Sequence, residues 1–145
     1  MNRRAWLDEQ RLSAERQYDV YSTTYDENDI SITPTHRRFV EHVIRSCPPA
    51  GEILDAPCGT GRFFELVLAA GRTVVGIDQS AGMLARARAK HPEVALQRIG
   101  LQELEFEGAF DAVLCITGWN TSFQRTGRAF SPTCTVLFAV AVLSI

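Results

Sequence analysis

Apolar positions along this chain follow two periods, and the switches between them predict the elements. Phe39, Val40, Val43 and Ile44 form one stripe at helical spacing. Thr33 and Pro34 supply a cap and a first helical residue for that helix, and Pro48-Pro49-Ala50-Gly51 ends it. A first strand is expected over Glu52–Ala56, then a helix from about Gly61 to Ala70 that stops at Gly71. Thr73–Asp78 predicts a second strand and Ser80–Lys90 a helix ending before Pro92. A third strand is expected at about Val94–Ile99 and a fourth at about Ala109–Ile116. Strands alternating with helices imply a parallel sheet joined by right-handed crossovers. The expected class is α/β, a three-layer half-sheet in strand order 3-2-1-4.

The flanks differ from this core. Met1–Arg16 is highly charged and predicts an exposed helix or a loose arm. Tyr18, Tyr21 and Tyr25 follow as an aromatic run, which either packs or covers a site. The chain therefore divides into an N-terminal arm or flap (1–33), an α/β core (34–116) and a tail (117–145).

The chemistry concentrates at two strand ends. Ile53-Leu-Asp-Ala-Pro-Cys-Gly-Thr-Gly-Arg62 runs an apolar strand into Asp55, then a Gly-x-Gly turn, then a helix. That is the layout of a Rossmann-like nucleotide-type site at the carboxyl end of a first parallel strand. Gly59 and Gly61 lack a Cβ, so the turn can take positive φ and approach a ligand closely. Asp55 can accept hydrogen bonds from a cationic or N–H-bearing ligand group. Asp78 ends the next strand, 19 positions after Gly59, near the spacing of a ribose-hydroxyl acceptor. Blander roles stand beside these: a structural glycine turn, and a cap for the helix that starts at Ser80. A dinucleotide fingerprint wants a third glycine where this chain has Phe64, which lowers the weight of an NAD-type oxidoreductase half-domain.

These residues resemble the class I S-adenosylmethionine-dependent methyltransferases. ILDAPCGTGRF resembles their first motif, VVGIDQSAGMLARAR their second, and FDAVLCI (Phe110–Ile116) their fourth strand; the likeness covers roughly Tyr18 to Ile116. It implies S-adenosylmethionine as cofactor and methyl transfer to a small-molecule acceptor. It places Asp55, Ala56, Pro57, Gly59 and Gly61 at the cofactor, the two glycines beside its methionine part. Asp78 would hold the ribose hydroxyls, Gln79 and Met83 would lie near the adenosine, and Leu101 and Gln102 would flank the adenine. The tyrosine run would act as a flap. Two departures stand out: Pro57 replaces the first glycine of the motif, and Gly100 replaces an acidic residue before the adenine-flanking segment. No general base is evident; His36 and Tyr21 are candidates by position alone.

Composition narrows the partners. A net charge of −2 carries no nucleic-acid footprint. Cys47, Cys58, Cys115 and Cys134 lack Cys-x-x-Cys spacing, and His36, His42 and His91 are scattered, so no metal site is expected. Free thiols and the lack of an apolar leader fit a cytoplasmic protein. Beyond Ile116 the only charges are Arg125 and Arg128, and Thr135–Ile145 is mostly apolar but too short to span a bilayer as a helix. Fourteen Arg against one Lys suggest GC-rich coding. Back-translated in GC-rich codons and read two bases on, Thr117–Ile145 gives a charged amphipathic helix and an Arg-Gly-Gly turn. A reading-frame shift near Thr117 is the expectation, with a natural hydrophobic C-terminal strand as its rival. Since the resembling family has seven strands, the sheet is expected to be incomplete, its C-terminal strands missing or replaced. A cofactor-binding but catalytically inactive fragment is the corresponding alternative function.

Overall fold

A 19-residue helix, α1 (Arg3–Tyr21), starts the fold, with the Asn2 side chain accepting the Arg4 N–H as its cap. The computed structural model describes residues 2–28, 31–105 and 108–116. A single turn, α2 (Tyr25–Asn28), follows, and neither helix buries a residue. The core begins at α3 (Pro34–Ser46), where Thr33 caps the His36 N–H and Val40, Val43 and Ile44 are buried. After it come β1 (Glu52–Asp55), α4 (Phe64–Ala69), β2 (Thr73–Asp78), α5 (Ala81–Lys90) and β3 (Ala95–Arg98). A 3-10 turn (Leu101–Glu103) and β4 (Ala112–Leu114) complete the described elements.

The sheet is parallel throughout and ordered β3-β2-β1-β4. Leu54 of β1 pairs with Val75 of β2 on one side and Val113 of β4 on the other. Gly76 of β2 pairs with Leu96 of β3. Successive residues point to opposite faces, which sorts the apolar side chains into two clusters. Ile53, Val74 and Leu114 face α3, α4 and α5, meeting Val43, Phe64, Val67 and Leu84. Leu54, Ala56, Val75 and Ile77 face the other way and pack with Leu104, Phe110 and Val113. Helices α4 and α5 share a face because each right-handed crossover steps outward in the same direction, from β1 to β2 to β3.

Several elements are shorter than the sequence pattern predicts, each for a local reason. Helix α4 starts at Phe64 rather than Gly61, because Gly61 has φ of 77° and cannot join a right-handed helix. β4 spans Ala112–Leu114 instead of Ala109–Ile116, pairing with Ile53–Asp55 of the four-residue β1. Just before it, the Asp111 carboxylate accepts the Glu52 N–H at 2.8 Å. The arm is a continuous helix through Tyr21, longer than the charged stretch implied. The tail 117–145, with the expected frame shift, lies outside the described residues.

Phe64 decides how closely α4 sits on the sheet. Its side chain is fully buried and sits edge-on to His91, ring centroids 5.4 Å apart. A Cβ at Gly76 would lie 2.5 Å from Phe64 Cζ and 2.8 Å from Leu96 Cδ2. One at Gly61 would lie 2.6 Å from Phe64 Cδ2. The ring therefore occupies space that two glycines leave empty. Gly76→Ala is expected to destabilise the chain by about 2 kcal/mol through overpacking. Adding Phe64→Leu should cost less in the Gly76→Ala background than in wild type, measured as a double-mutant cycle by urea denaturation. Strict additivity would show that the ring and the strand do not compete for that space.

Candidate functional site

The first two crossover turns meet at one carboxylate. Asp78, at the end of β2, accepts the Gly59 N–H at 2.9 Å through Oδ2 and the Ser80 N–H at 2.9 Å through Oδ1. Gly59 has φ of 55°, and nothing lies within 4 Å of the place its Cβ would take, so this side of the turn is open. Ser80 caps α5 by accepting the Met83 N–H at 3.1 Å. The capping role thus belongs to Ser80, while Asp78 orders the turn before it.

A cleft of about 430 Å³ opens above these strand ends, within the range of small-ligand sites. Of the sequence-predicted residues, Pro57, Gly59, Asp78, Gln79, Met83, Leu101 and Gln102 line it. Asp55, Ala56 and Gly61 do not. Asp55 and Ala56 are each 1% exposed beneath the turn, and Gly61 abuts the Phe64 ring. His36 sits edge-on to Phe63, and Tyr21 packs against Tyr25 at 5.2 Å; neither reaches the cleft wall. Residues that pattern reasoning did not single out also line it, among them Gln10 and Arg11 from α1, Thr60, Arg62 and Phe63 from the turn, and Ile99 after β3. Tyr18 and Tyr25 join them from the arm. A signal for the arm was present in the sequence, where Tyr-Asp occurs at 18–19 and again at 25–26.

The electrostatics of the floor are dominated by burial. Neither carboxylate oxygen of Asp55 has a hydrogen-bond partner among the described residues. Burial, reinforced by the nearby Asp78 charge and only partly offset by Arg62, pushes the Asp55 carboxyl up to about 8. Burial raises Asp78 as well, against the lowering effect of its N–H donors. The Cys58 thiol is driven upward by burial and by both carboxylates, and Cys115 by burial and Asp55, so neither is a thiolate at neutral pH. Burial and the Asp78 charge raise the Tyr18 phenol, which stays protonated. Arg62 lies over the Phe63 ring, 4.9 Å from its centroid, on the rim. Among the described residues no cluster of His, Cys, Asp or Glu is arranged to hold a metal ion. Likewise, no described helix is long and apolar enough to cross a membrane.

A strand-turn-helix with a Gly-x-Gly turn, its acidic partner on the next strand and a 3-2-1-4 sheet define a fold family together. A match to the methyltransferase-domain family spans residues 53–137, more than half of the chain. The chain belongs to the class I S-adenosylmethionine-dependent methyltransferase family. It is 31% identical to the provisionally named methyltransferase YqeM of Bacillus subtilis (strain 168), an alignment covering 85% of this chain and 55% of that one. It is 35% identical over 74 residues to dTDP-3-amino-3,6-dideoxy-alpha-D-glucopyranose N,N-dimethyltransferase of Streptomyces fradiae, covering 51% of this chain and 29% of that one. Among solved structures it is similar to CalS10, an amino pentose methyltransferase from Micromonospora echinaspora determined with S-adenosylmethionine bound. The identity there is 29% and the TM-score 0.53, over 68% of this chain and 42% of that one. The chain therefore spans about a third to a half of the length of the curated relatives it matches.

The buried Asp55 carboxyl gives stability a pH dependence of defined sign. Its folded pKa, about 8, lies above the ordinary value of 3.8, so folding takes up a proton between them. Stability is then fully present below pH 4 and falls as pH rises toward 8, by about 1.4 kcal/mol for each unit. Asp55→Asn removes that proton. Urea midpoints measured from pH 5 to pH 8 should fall for wild type relative to the variant. Parallel curves for the two proteins would exclude Asp55 as the responsible group.

Proposed function

We propose that the chain binds S-adenosylmethionine in the cleft over β1 and β2 and directs methyl transfer to a small-molecule acceptor. The carrying observation is the Asp78 carboxylate, which lines the cleft while fixing both turns beside it. The residues present fit the cofactor: the open side of Gly59 leaves room for close approach of its methionine part, and the Asp78 carboxylate faces the cleft with acceptor capacity for ribose hydroxyls. When bound, S-adenosylmethionine supplies an electrophilic methyl group on a sulfonium centre.

This chain's own residues supply position and exclusion of water. Asp78 is the acceptor for ribose hydroxyls, its lone pairs already oriented by the two N–H donors. Gln79 and Met83 bound the adenosine side, and Leu101 and Gln102 the adenine, which leaves the Gly59 turn for the methionine part. Asp55 takes no direct part in the cleft wall; buried beneath it and held largely protonated at neutral pH, it leaves Asp78 as the anionic group facing the cleft. Tyr18, its phenol protonated, and Tyr25 close the outer side. The general base is not among these groups, since the described lining residues include no ionised thiol and no histidine. Two relatives, the sugar N,N-dimethyltransferase and CalS10, are named for amino-sugar acceptors and cover more of this chain than the malonyl-[acyl-carrier protein] O-methyltransferase of Pectobacterium atrosepticum, which matches 28% of it. An amine on a small sugar is therefore the acceptor class that this reading favours.

Calorimetric titration with S-adenosylmethionine and S-adenosylhomocysteine tests the cofactor step. Asp78→Ala should weaken binding by about 1.5–3 kcal/mol, the value of charge-assisted hydrogen bonds to a buried carboxylate. Equal affinity in the variant would move the site elsewhere. Incubation with methyl-labelled cofactor and amino-sugar acceptors reads transfer. Binding without transfer to any acceptor would favour the inactive-fragment alternative.

A further inference from the structure

The arm is fastened by its acidic residues and not by apolar burial. Each of its two Tyr-Asp steps divides the work in the same way. Tyr18 and Tyr25 line the cleft, and the aspartate after each reaches into one of the two turns that form the site. Asp19 Oδ1 accepts the Ser80 hydroxyl at 2.6 Å and the Gly82 N–H at 2.9 Å, at the start of α5. Asp26 Oδ1 accepts the Thr60 hydroxyl at 2.6 Å, inside the Gly59–Gly61 turn. Its Oδ2 pairs with Lys90 Nζ at 2.8 Å, and Lys90 also donates to Thr60 at 3.1 Å. The fit at the first anchor is close, since a Cβ on Gly82 would lie 2.4 Å from Ser22 Oγ and 3.0 Å from the Asp19 carbonyl.

We propose that Asp19 and Asp26 are positioning residues, which lock the two tyrosines over the cofactor cleft by tying the arm to the turn after β1 and the turn after β2. The proposal rests on the reading that the cleft binds an adenosyl cofactor. Because α1 and α2 bury no residue, the arm can detach while the sheet stays folded. Cofactor that contacts the docked arm then strengthens docking by the same factor that docking strengthens its binding. Two further pairs follow the same logic at the rim of the cleft: Arg11 with Glu103 at 2.5 Å, and Glu15 with Arg98.

Hydrogen exchange of the full chain, with and without S-adenosylhomocysteine, separates the arm from the core. Asp19→Asn and Asp26→Asn should each speed exchange in residues 3–28 about tenfold and leave the β1–β2 amides unchanged. The dissociation constant for S-adenosylhomocysteine should rise about five- to tenfold, with an unaltered urea midpoint. Lys90→Met should reproduce the Asp26→Asn effect in milder form, and Lys90→Arg should restore wild-type affinity. Faster arm exchange with unchanged affinity would make the anchors merely structural and overturn the proposal. Wild-type behaviour in all the variants would do the same. Failure of the wild-type chain itself to bind any adenosyl compound would instead overturn the cofactor reading, and the positioning role with it.

Discussion

The Asp78 carboxylate stands between two turns that launch different helices, and it accepts an N–H from each. Beyond the end of the β1–β2 ladder, these bonds help hold the two turns at a fixed distance. β1 and β2 pair in register up to Asp55 and Gly76, but the Gly59 turn lies beyond that ladder. One buried side chain thus carries sheet order outward into the loops. The Cys58 N–H bonded to the Ile77 carbonyl at 2.8 Å adds a backbone tie at the same level. A carboxylate suits this role because it has acceptor capacity left over after both bonds are made. The group that organises the floor of the cleft is therefore also available to a ligand.

Placing two carboxyls this close to one another has a cost that the fold manages by proton uptake. Asp55 is sealed beneath the turn with no donor, and the Asp78 charge beside it makes ionisation harder still. Asp78 keeps its donors and its access to the cleft. The same low-dielectric environment holds Cys58 and Cys115 as thiols, leaving the floor free of competing nucleophiles. Around this apolar floor the fastening is polar. Asp19 and Asp26 both sit below the ordinary carboxylate range: Asp19 through the Ser80 hydroxyl and the Gly82 N–H, Asp26 because Lys90 and Thr60 overcome its burial. Buried apolar contact makes the core permanent, whereas exposed charge pairs make the arm detachable.

Much of this was legible in the residues. Thr33-Pro34 started α3, and Thr73–Asp78 formed β2 with the bounds its apolar run implied. Alternating periods and crossover handedness implied the parallel sheet, and the order 3-2-1-4 went with the resemblance to the methyltransferase motifs. Local rules sufficed because capping, turn and alternation act over a few residues. The third-glycine argument at Phe64 was right that a ring opposes close packing. It had no means of showing that Gly61 and Gly76 withdraw to make room, since Gly76 is brought there by the sheet.

The sequence by itself determined the element order, the Gly-x-Gly turn and the pair of acidic strand ends, because each is written in neighbouring residues. Only the tertiary structure decided which of those residues face the cleft. Asp55 and Asp78 look alike as strand-terminal acids, yet one is sealed with its oxygens unpartnered and the other lines the cleft. The difference comes from where each strand ends relative to its neighbours: Asp55 is paired on both sides, with Gly76 and Leu114, whereas Asp78 pairs only with Arg98 of β3 and projects two residues past the end of β1. The arm shows the same limit at longer range. Its charge and tyrosines announced an exposed element, but its anchors at Ser80, Gly82, Thr60 and Lys90 lie 34 to 64 residues away in sequence. Such contacts depend on chain closure through the whole sheet, and no local pattern encodes them.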